Sequence, residues 1–321
     1  MTHRFDRRSL LRRGLGWGAG ALLAGRFGQT AHALAGGAVE RLTRPADRPD
    51  LAVVTGDDYA AAAVEAVRLL GGMARYVPKG ARVAILPNAQ RNNPGVYTSP
   101  AIVRAVVRMC RAAGAREVSC LTWLPEKNWL DTGLAAAVRE EGAKLVLVDM
   151  RDPAQFRPVP VPRGVALKEA AIMNAYFDHD VLINLPITKD HAGNKFTGTL
   201  KNLMGLNSPP NNRTFHRADW QTNPDAIAHL EQCIADLNTV VTPTLCLVDA
   251  TEFITTNGPF GPGELLKRRQ VVAGTDRVAI DSYCCTLWGL KPGDIIAIRR
   301  AAAHGLGEPD PARIKRAEKT L

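Results

Sequence analysis

The sequence predicts an α/β fold, a mostly parallel sheet or sheets with helices on both faces. Three observations favour this class. Short apolar runs rich in β-branched residues alternate along the chain with helical patterns. These runs are continuous rather than alternating, which indicates strands that are buried on both faces. The length of 321 residues suits one large domain or two subdomains, and the prediction leaves both open.

The N-terminal part of the predicted fold alternates strand and helix. LAVVTG is a strand, and Asp57 or Asp58 caps the alanine-rich helix that follows it. RVAILPN is a strand that closes at a proline. The helix in TSPAIVRAVVRMCRAAG has Thr98 or Ser99 as its cap, a proline in its first turn and Gly114 as its stop. This part is completed by a strand in REVSCLTWL, a helix in DTGLAAAVREEG and a strand in KLVLVDM.

The C-terminal part repeats the pattern with longer connections. Strands are predicted in DVLINLP, TLCLVDA and QVVAGTD. Helices are predicted at the start of TGTLKNLMG, in PDAIAHLEQCIADLNTVV, in RVAIDSYCCTLWGL and in IIAIRRAAAHGLG, which ends the predicted fold. The proline-rich residues 151–165 are predicted to link an N-terminal α/β part, 36–150, with a C-terminal α/β part, 166–321, that carries the candidate site.

Residues 1–35 are predicted to be a twin-arginine signal peptide. Arg7 and Arg8 precede a short apolar and glycine-rich stretch, and AHALAGG then offers small-x-small cleavage sites. A basic disordered tail is the alternative. The signal predicts the twin-arginine export machinery as a partner and a periplasmic or extracytoplasmic location after cleavage.

Composition excludes several classes of function. Residues 1–35 contribute about half of the net charge of +10, so the rest of the chain is only mildly basic and nucleic-acid binding has little support. No run of eighteen uncharged apolar residues occurs, so the protein is not expected to be an integral membrane protein. The six cysteines form no CxxC pair, and we expect buried thiols rather than a metal or iron–sulfur site.

Basic and polar residues follow the strand DVLINLP and predict an anion site. Lys189 and His191 lie in the loop at its carboxyl end, and Lys201 lies in a helix that starts near Thr197 or Thr199. Ammonium groups, an imidazole and the free N–H groups of a helix N-terminus would converge on a carboxylate or phosphate. A solvated basic loop is the alternative. The predicted ligand-binding residues are Lys201, Asn202, Thr197, Thr199, Arg213 and the strand-end Asn88.

The stretch NSPPNNRTFHRADW is predicted to be a mobile flap over that site. It is too polar for a core, and Arg213 could clamp an anion while His216 moves a proton near neutral pH. A long surface loop without a function is the alternative. The predicted catalytic residues are therefore His191, His216 and Lys189.

Three aspartates form the second predicted cluster. Asp249 and Asp276 lie at strand ends, and Asp281 shares an apolar helical stripe. A buried carboxylate must be paired, bind a metal or be protonated, so these three are the candidate ligands of a divalent cation such as Mg²⁺. The alternative is structural: Asp276 caps a helix and Asp281 bonds a backbone loop.

Several motifs resemble the family named domain of unknown function 362. These motifs are LINLPITKDHAGNKFTGTLKNLMG, NNRTFH, LCLVDATEF followed by GPFGPG, and VVAGTDRVAIDSYCCTLWG. The family's N-terminal part is resembled by RVAILPN together with TSPAIVRAVVRMCRAAGAREV. The resemblance covers residues 80–307 and implies an α/β fold without a settled reaction. Some members carry a ferredoxin-like cysteine insert that this chain lacks, so no iron–sulfur cluster is expected. The N-terminal pattern is also distantly similar to nickel-pincer lactate racemase.

Together these features predict an exported enzyme that acts on a small anionic molecule. His191 or His216 would transfer a proton next to a carboxylate or phosphate held by Lys189 and Lys201, in isomerase-like, racemase-like or lyase-like chemistry. The alternative is a non-catalytic periplasmic protein that binds an anion or a cofactor.

Overall fold

Ten strands and ten α-helices make up the chain that the computed structural model describes, residues 49–321. The strands are β1 (Leu51–Thr55), β2 (Arg82–Pro87), β3 (Glu117–Thr122), β4 (Lys144–Leu147), β5 (Phe156–Pro160), β6 (Glu169–Met173), β7 (Val181–Leu185), β8 (Leu245–Ile254), β9 (Leu265–Gly274) and β10 (Arg316–Thr320). The helices are α1 (Tyr59–Leu69), α2 (Pro100–Ala112), α3 (Glu126–Asp131), α4 (Leu134–Glu140), α5 (Asn174–Phe177), α6 (Thr199–Asn202), α7 (Pro209–Phe215), α8 (Pro224–Leu237), α9 (Arg277–Cys285) and α10 (Ile296–Ala303). The predicted signal peptide lies outside these residues.

Eight strands form one sheet in the order β10-β1-β9-β8-β7-β2-β3-β4. Strand β9 pairs antiparallel with both β1 and β8, and the other pairings in this sheet are parallel. The α/β fold with a mostly parallel sheet is therefore confirmed. Strands β5 and β6 form a separate antiparallel pair.

Both faces of the sheet are covered by helices, as the continuous apolar runs predict. Alternate residues of one strand enter opposite hydrophobic clusters: Ala84 and Leu86 face one side, and Val83 and Ile85 face the other. Helices α1, α2 and α4 contribute to the second cluster, and α8, α9 and α10 to the first. Burial on both faces explains why these strands carry no polar–apolar alternation.

Several parts of the described chain differ from the prediction, which also lacks β6, α3 and α5. A strand, β10, follows α10 and pairs in parallel with β1, although the prediction ends at the helix. Residues 151–165, predicted as a linker, contain β5. The predicted flap contains α7, which Ser208 caps by accepting a hydrogen bond from the Asn211 N–H. Each has too little apolar patterning to be recognised, since β10 is almost wholly exposed and α7 is a short polar helix.

Strands from both predicted parts of the chain lie side by side in the large sheet, where β2 pairs with β7. Residues 49–321 lie in one compact unit. In residues 49–321 no helix is long and apolar enough to cross a membrane. The expectation of buried thiols is confirmed for all six cysteines, which are buried and free: Cys110, Cys120, Cys233, Cys246, Cys284 and Cys285.

Candidate functional site

A cavity of about 180 Å³ lies at the carboxyl ends of β2, β3 and β7. The chain runs from β2 outward to β3 and β4, whereas β7 and β8 lie on the other side of β2. The strand order thus changes direction between β2 and β7. Open α/β sheets bind their ligands at such a point. The volume is below the range of roughly 300–1,000 Å³ that accommodates drug-sized molecules, so the cavity suits a small ligand.

Six of the twelve residues predicted for a site line this cavity. The loop after β2 brings Asn88, the loop after β7 brings His191 and Thr197, and α6 brings Lys201 and Asn202. The C-cap of α7 brings His216. No Asp or Glu lines the cavity in the chain from 49 to 321. The predicted residues that do not line it are Lys189, Thr199, Arg213, Asp249, Asp276 and Asp281.

Lys201 is the charged residue of the cavity wall. Its ammonium contacts Met204 Sδ at 3.6 Å and, across residues 49–321, makes no ion pair and no hydrogen bond to oxygen. Burial lowers the pKa of Lys201 to about 8. The acidic group that acts on it most is Glu231, whose carboxylate already accepts hydrogen bonds from Asn194 Nδ2 at 2.6 Å and from the Ala297 N–H at 2.7 Å. The ammonium is therefore available for an anionic ligand.

Both cavity histidines are held in one tautomer by the backbone. His191 Nδ1 lies 2.8 Å from the carbonyl oxygen of Ala192, and His216 Nδ1 lies 2.9 Å from that of Asn212. A carbonyl oxygen only accepts, so Nδ1 carries the hydrogen in each ring and Nε2 is left as the proton acceptor. Burial and then the Lys201 charge lower the pKa of both histidines. Both rings are thus neutral near pH 7.

Trp220 packs against both imidazoles. Its ring centroid lies 5.3 Å from that of His191 and 4.8 Å from that of His216. The chain approaches Trp220 closely at Gly193, where an added Cβ would lie 2.5 Å from the Trp220 carbonyl oxygen. The backbone of Gly193 also has φ +74, a conformation that favours glycine. These contacts fix the two rings relative to each other.

A network of hydrogen-bonded side-chain amides extends from the cavity wall into the fold. Asn88 Nδ2 donates to Asn202 Oδ1 at 3.3 Å, and Asn202 Nδ2 donates to Asn184 Oδ1 at 2.8 Å and to the Leu86 carbonyl. Asn184 Nδ2 donates in turn to the Thr199 carbonyl at 2.9 Å. This hydrogen-bonded network joins β2, β7 and α6, and so holds the helix that carries Lys201 against the strand ends.

Lys189 lies behind this wall rather than in it. Its side chain is fully buried, and Nζ donates to the Val96 carbonyl at 2.7 Å and to Asn88 Oδ1 at 3.3 Å. The placement of Lys189 differs from the shared pocket that the sequence suggests. A side chain with no exposed surface does not meet a ligand directly.

The N-terminus of α6 is also occupied. Asp281, from α9, accepts hydrogen bonds from the Thr199 N–H at 2.6 Å, from Thr199 Oγ1 at 2.8 Å and from the Leu200 N–H at 3.0 Å. These N–H groups were expected to face an anion, but a carboxylate of the protein already binds them. Asp281 thus has the structural role that the sequence analysis gave as the alternative.

The other two aspartates have separate structural partners. Asp249 accepts from the Ser99 N–H at 2.7 Å and from Thr251, and Asp276 caps α9 through the Ala279 N–H at 2.8 Å. From residue 49 to residue 321 no group of three His, Cys, Asp or Glu side chains is arranged to hold a metal ion. The three carboxylates therefore do not converge.

Arg213 lies in the last turn of α7 with its side chain exposed, away from the cavity lining. Two aromatic residues that the sequence analysis did not select complete the site instead. Trp123, just after β3, lines the cavity, and Trp220 orients the histidines. The position of Trp123 at a strand end was a usable signal, whereas Trp220 had none because its contacts join distant segments of the chain.

Residues 83–286 match the family described as Domain of unknown function (DUF362). A thylakoid-associated protein of Synechocystis sp. is 27% identical over 248 residues, which cover 74% of this chain and 72% of that protein.

Two solved structures are similar to this chain at low identity. The lactate racemase apoprotein from Thermoanaerobacterium thermosaccharolyticum is 15% identical, with a TM-score of 0.42, over 64% of this chain and 52% of that one. A Thermotoga maritima protein solved by a structural genomics consortium is 13% identical, with a TM-score of 0.44, over 71% of this chain and 57% of that one. The chain thus spans little more than half the length of either.

Proposed function

Since the chain belongs to the DUF362 family, whose description names no reaction, we propose a function from the cavity itself: proton transfer on a small carboxylate or phosphate. The observation that supports this proposal most is the set of side chains that line the cavity. An ammonium without a carboxylate partner and two neutral imidazoles line it, and no acidic side chain of residues 49–321 does. Such a wall attracts an anion and offers two proton acceptors.

In this proposal Lys201 binds the anionic group of the ligand. A charge-assisted hydrogen bond in a partly dry cavity is stronger than one in water, because fewer solvent molecules compete for the ammonium. The bound anion also raises the pKa of Lys201, so the ammonium stays charged while the ligand is present.

The two histidines then transfer the proton. The Nε2 lone pair of His191 or His216 takes a proton from the ligand atom next to the anionic group, and Nδ1–H stays bonded to its backbone carbonyl. The imidazolium that forms is stabilised by the ligand's negative charge, which offsets the effect of burial. The imidazolium can then return the proton from Nε2 to the ligand, which restores the neutral ring and completes the cycle.

Hydrogen exchange into a ligand separates this proposal from its rival, a non-catalytic anion-binding protein. The protein is incubated in D2O with a panel of small carboxylates, and 1H NMR follows loss of the signal from the carbon next to the carboxylate. Exchange that is abolished in His191→Gln or His216→Gln, with ligand binding retained, supports an enzyme. Binding without exchange for every ligand tried would favour the rival.

We also propose that the protein is exported, through the twin-arginine signal predicted in residues 1–35. A folded α/β domain suits this route, because twin-arginine substrates are exported after folding. The six buried free thiols agree with a chain that does not depend on disulfides.

A further inference from the structure

Lys189 is a buried cation without an ion pair in residues 49–321. Its neighbours disfavour the charge: Lys201 acts on it from α6, and Lys189 in turn acts on His191 in its own loop. Asp249, on the neighbouring β8, is occupied by Ser99 and Thr251. A lone buried charge is costly, so a role beyond packing should account for it.

The hydrogen bond from Lys189 fixes the orientation of the Asn88 amide. An ammonium only donates, so the amide oxygen must face Lys189 and the amide nitrogen must face Asn202. One Asn88 N–H is used by Asn202 Oδ1. The other has no partner in the chain from 49 to 321, and Asn88 lines the cavity. By holding the amide oxygen, Lys189 therefore makes Asn88 present one N–H donor of fixed orientation to the cavity.

We infer that Lys189 is a positioning residue that makes Asn88 a second anion-binding donor beside Lys201. The inference rests on the proposed function and narrows its ligand class. Carboxylate, sulfate and phosphate have two or more acceptor oxygens, so one oxygen can contact Lys201 while another contacts Asn88, whereas both donors would have to reach the single atom of a halide. The site thus prefers oxyanions.

The protonation state of Lys189 gives the arrangement a pH dependence. Burial, and then the Lys201 charge, lower the pKa of Lys189 to about 7. Below that pH the charged group only donates and holds Asn88 in one orientation. Above it the neutral amine can also accept, so Lys189 no longer selects the orientation of the amide, and the hydrogen bond to Asn202 Oδ1 alone holds it.

Calorimetric titration at pH 6.5 with acetate, sulfate and chloride tests the inference. In Lys189→Met and in Asn88→Ala we expect affinity for acetate and sulfate to fall about tenfold, the loss of one hydrogen bond to a charged group. Affinity for chloride should fall less than affinity for the two oxyanions, because a single atom placed at Lys201 gains less from the second donor. Lys195→Met, an exposed lysine of the same loop, is the matched control and should match wild type.

The variants separate failure of this inference from failure of the proposed function. Lys201→Met should lower the affinity for all three anions. Unchanged affinities in that variant, or no anion binding by wild type, would contradict both the proposed function and this inference. With Lys201→Met behaving as expected, equal losses for chloride and acetate in Lys189→Met would overturn the positioning role alone. If Lys189→Met does not fold, Asn88→Ala decides: unchanged acetate and sulfate affinity overturns the inference.

Discussion

At the scale of single residues, Lys201 of α6 is the charged side chain of the candidate site, and it has no carboxylate partner in residues 49–321. The sequence predicts Lys201 and His191 for the site because polar residues that follow a buried strand tend to meet at one sheet edge, and His216 because it lies in a polar stretch; all three line the cavity. It could not distinguish Lys189 from Lys201. Whether a lysine lies in a wall or behind it depends on contacts with Val96 and Asn88, about a hundred residues away in sequence.

Anion binding should weaken as the pH rises. The pKa of Lys201 is lowered to about 8, so the ammonium is present below that pH and lost above it. Affinity for acetate, whose own charge is constant above pH 6, should be highest near pH 6.5 and fall up to about tenfold per pH unit above 8. Titrations between pH 6 and 9.5 measure this, and Lys201→Met should show a flatter profile. An affinity that rises with pH would contradict the role of Lys201.

At the scale of elements, α6 is too short to be stable alone and depends on Asp281 from α9. The sequence predicted a helix here, but it could not show that a distant carboxylate caps it. The same limit applies to β10 and α7, whose polar sequences give no periodic signal and which form through packing on the rest of the fold.

Asp281→Ala should destabilise the protein by about 1–3 kcal/mol, since it leaves the buried Thr199 and Leu200 N–H groups without an acceptor. Burial raises the pKa of Asp281 to about 6. The folded state therefore binds this proton more tightly than the unfolded chain does, and the resulting stabilisation is complete below about pH 4 and lost as the pH rises through 6. Urea unfolding should show a larger loss at pH 4 than at pH 7; equal stability to wild type at both would show that the cap is dispensable.

Gly198→Ala tests the same cap from the other side. An added Cβ would lie 2.3 Å from Asp281 Oδ1 and 2.6 Å from the Phe196 ring, so the carboxylate must move. We expect a loss of about 1–3 kcal/mol in the free energy of unfolding, the range for overpacking. Gly293→Ala is the control, since nothing lies within 4 Å of its Cβ position. Similar stabilities for the two variants would argue against a tight cap.

At the scale of the whole molecule, the parallel sheet brings the site together from segments far apart in sequence. The alternation of strands and helices predicted this sheet, and the confirmed fold places the carboxyl ends of β2, β3 and β7 around one cavity. The strand order could not be read from the pattern, because it depends on which strand β7 pairs with. The reversal between β2 and β7 is what creates the crevice.

Export is the prediction that concerns the chain as a whole. Replacing Arg7 and Arg8 together by lysine should leave the precursor in the cytoplasm, because the export machinery recognises the arginine pair. Fractionation of expressing cells, with the mature N-terminus determined by mass spectrometry, measures the outcome; we expect mature wild type to begin near Leu34 or Gly36. Unchanged export of the double variant would favour a basic tail.

The central claim is that the cavity at the carboxyl ends of β2, β3 and β7 binds a small anion through Lys201. Calorimetric titration of acetate at pH 6.5 into wild type, Lys201→Met and Lys195→Met tests it most directly. Lys201→Met keeps the bulk of the side chain but removes its charged donor. We therefore expect this variant to bind acetate at least about tenfold more weakly than wild type does. Lys195→Met should bind as wild type does. Equal affinity in all three proteins would contradict the claim.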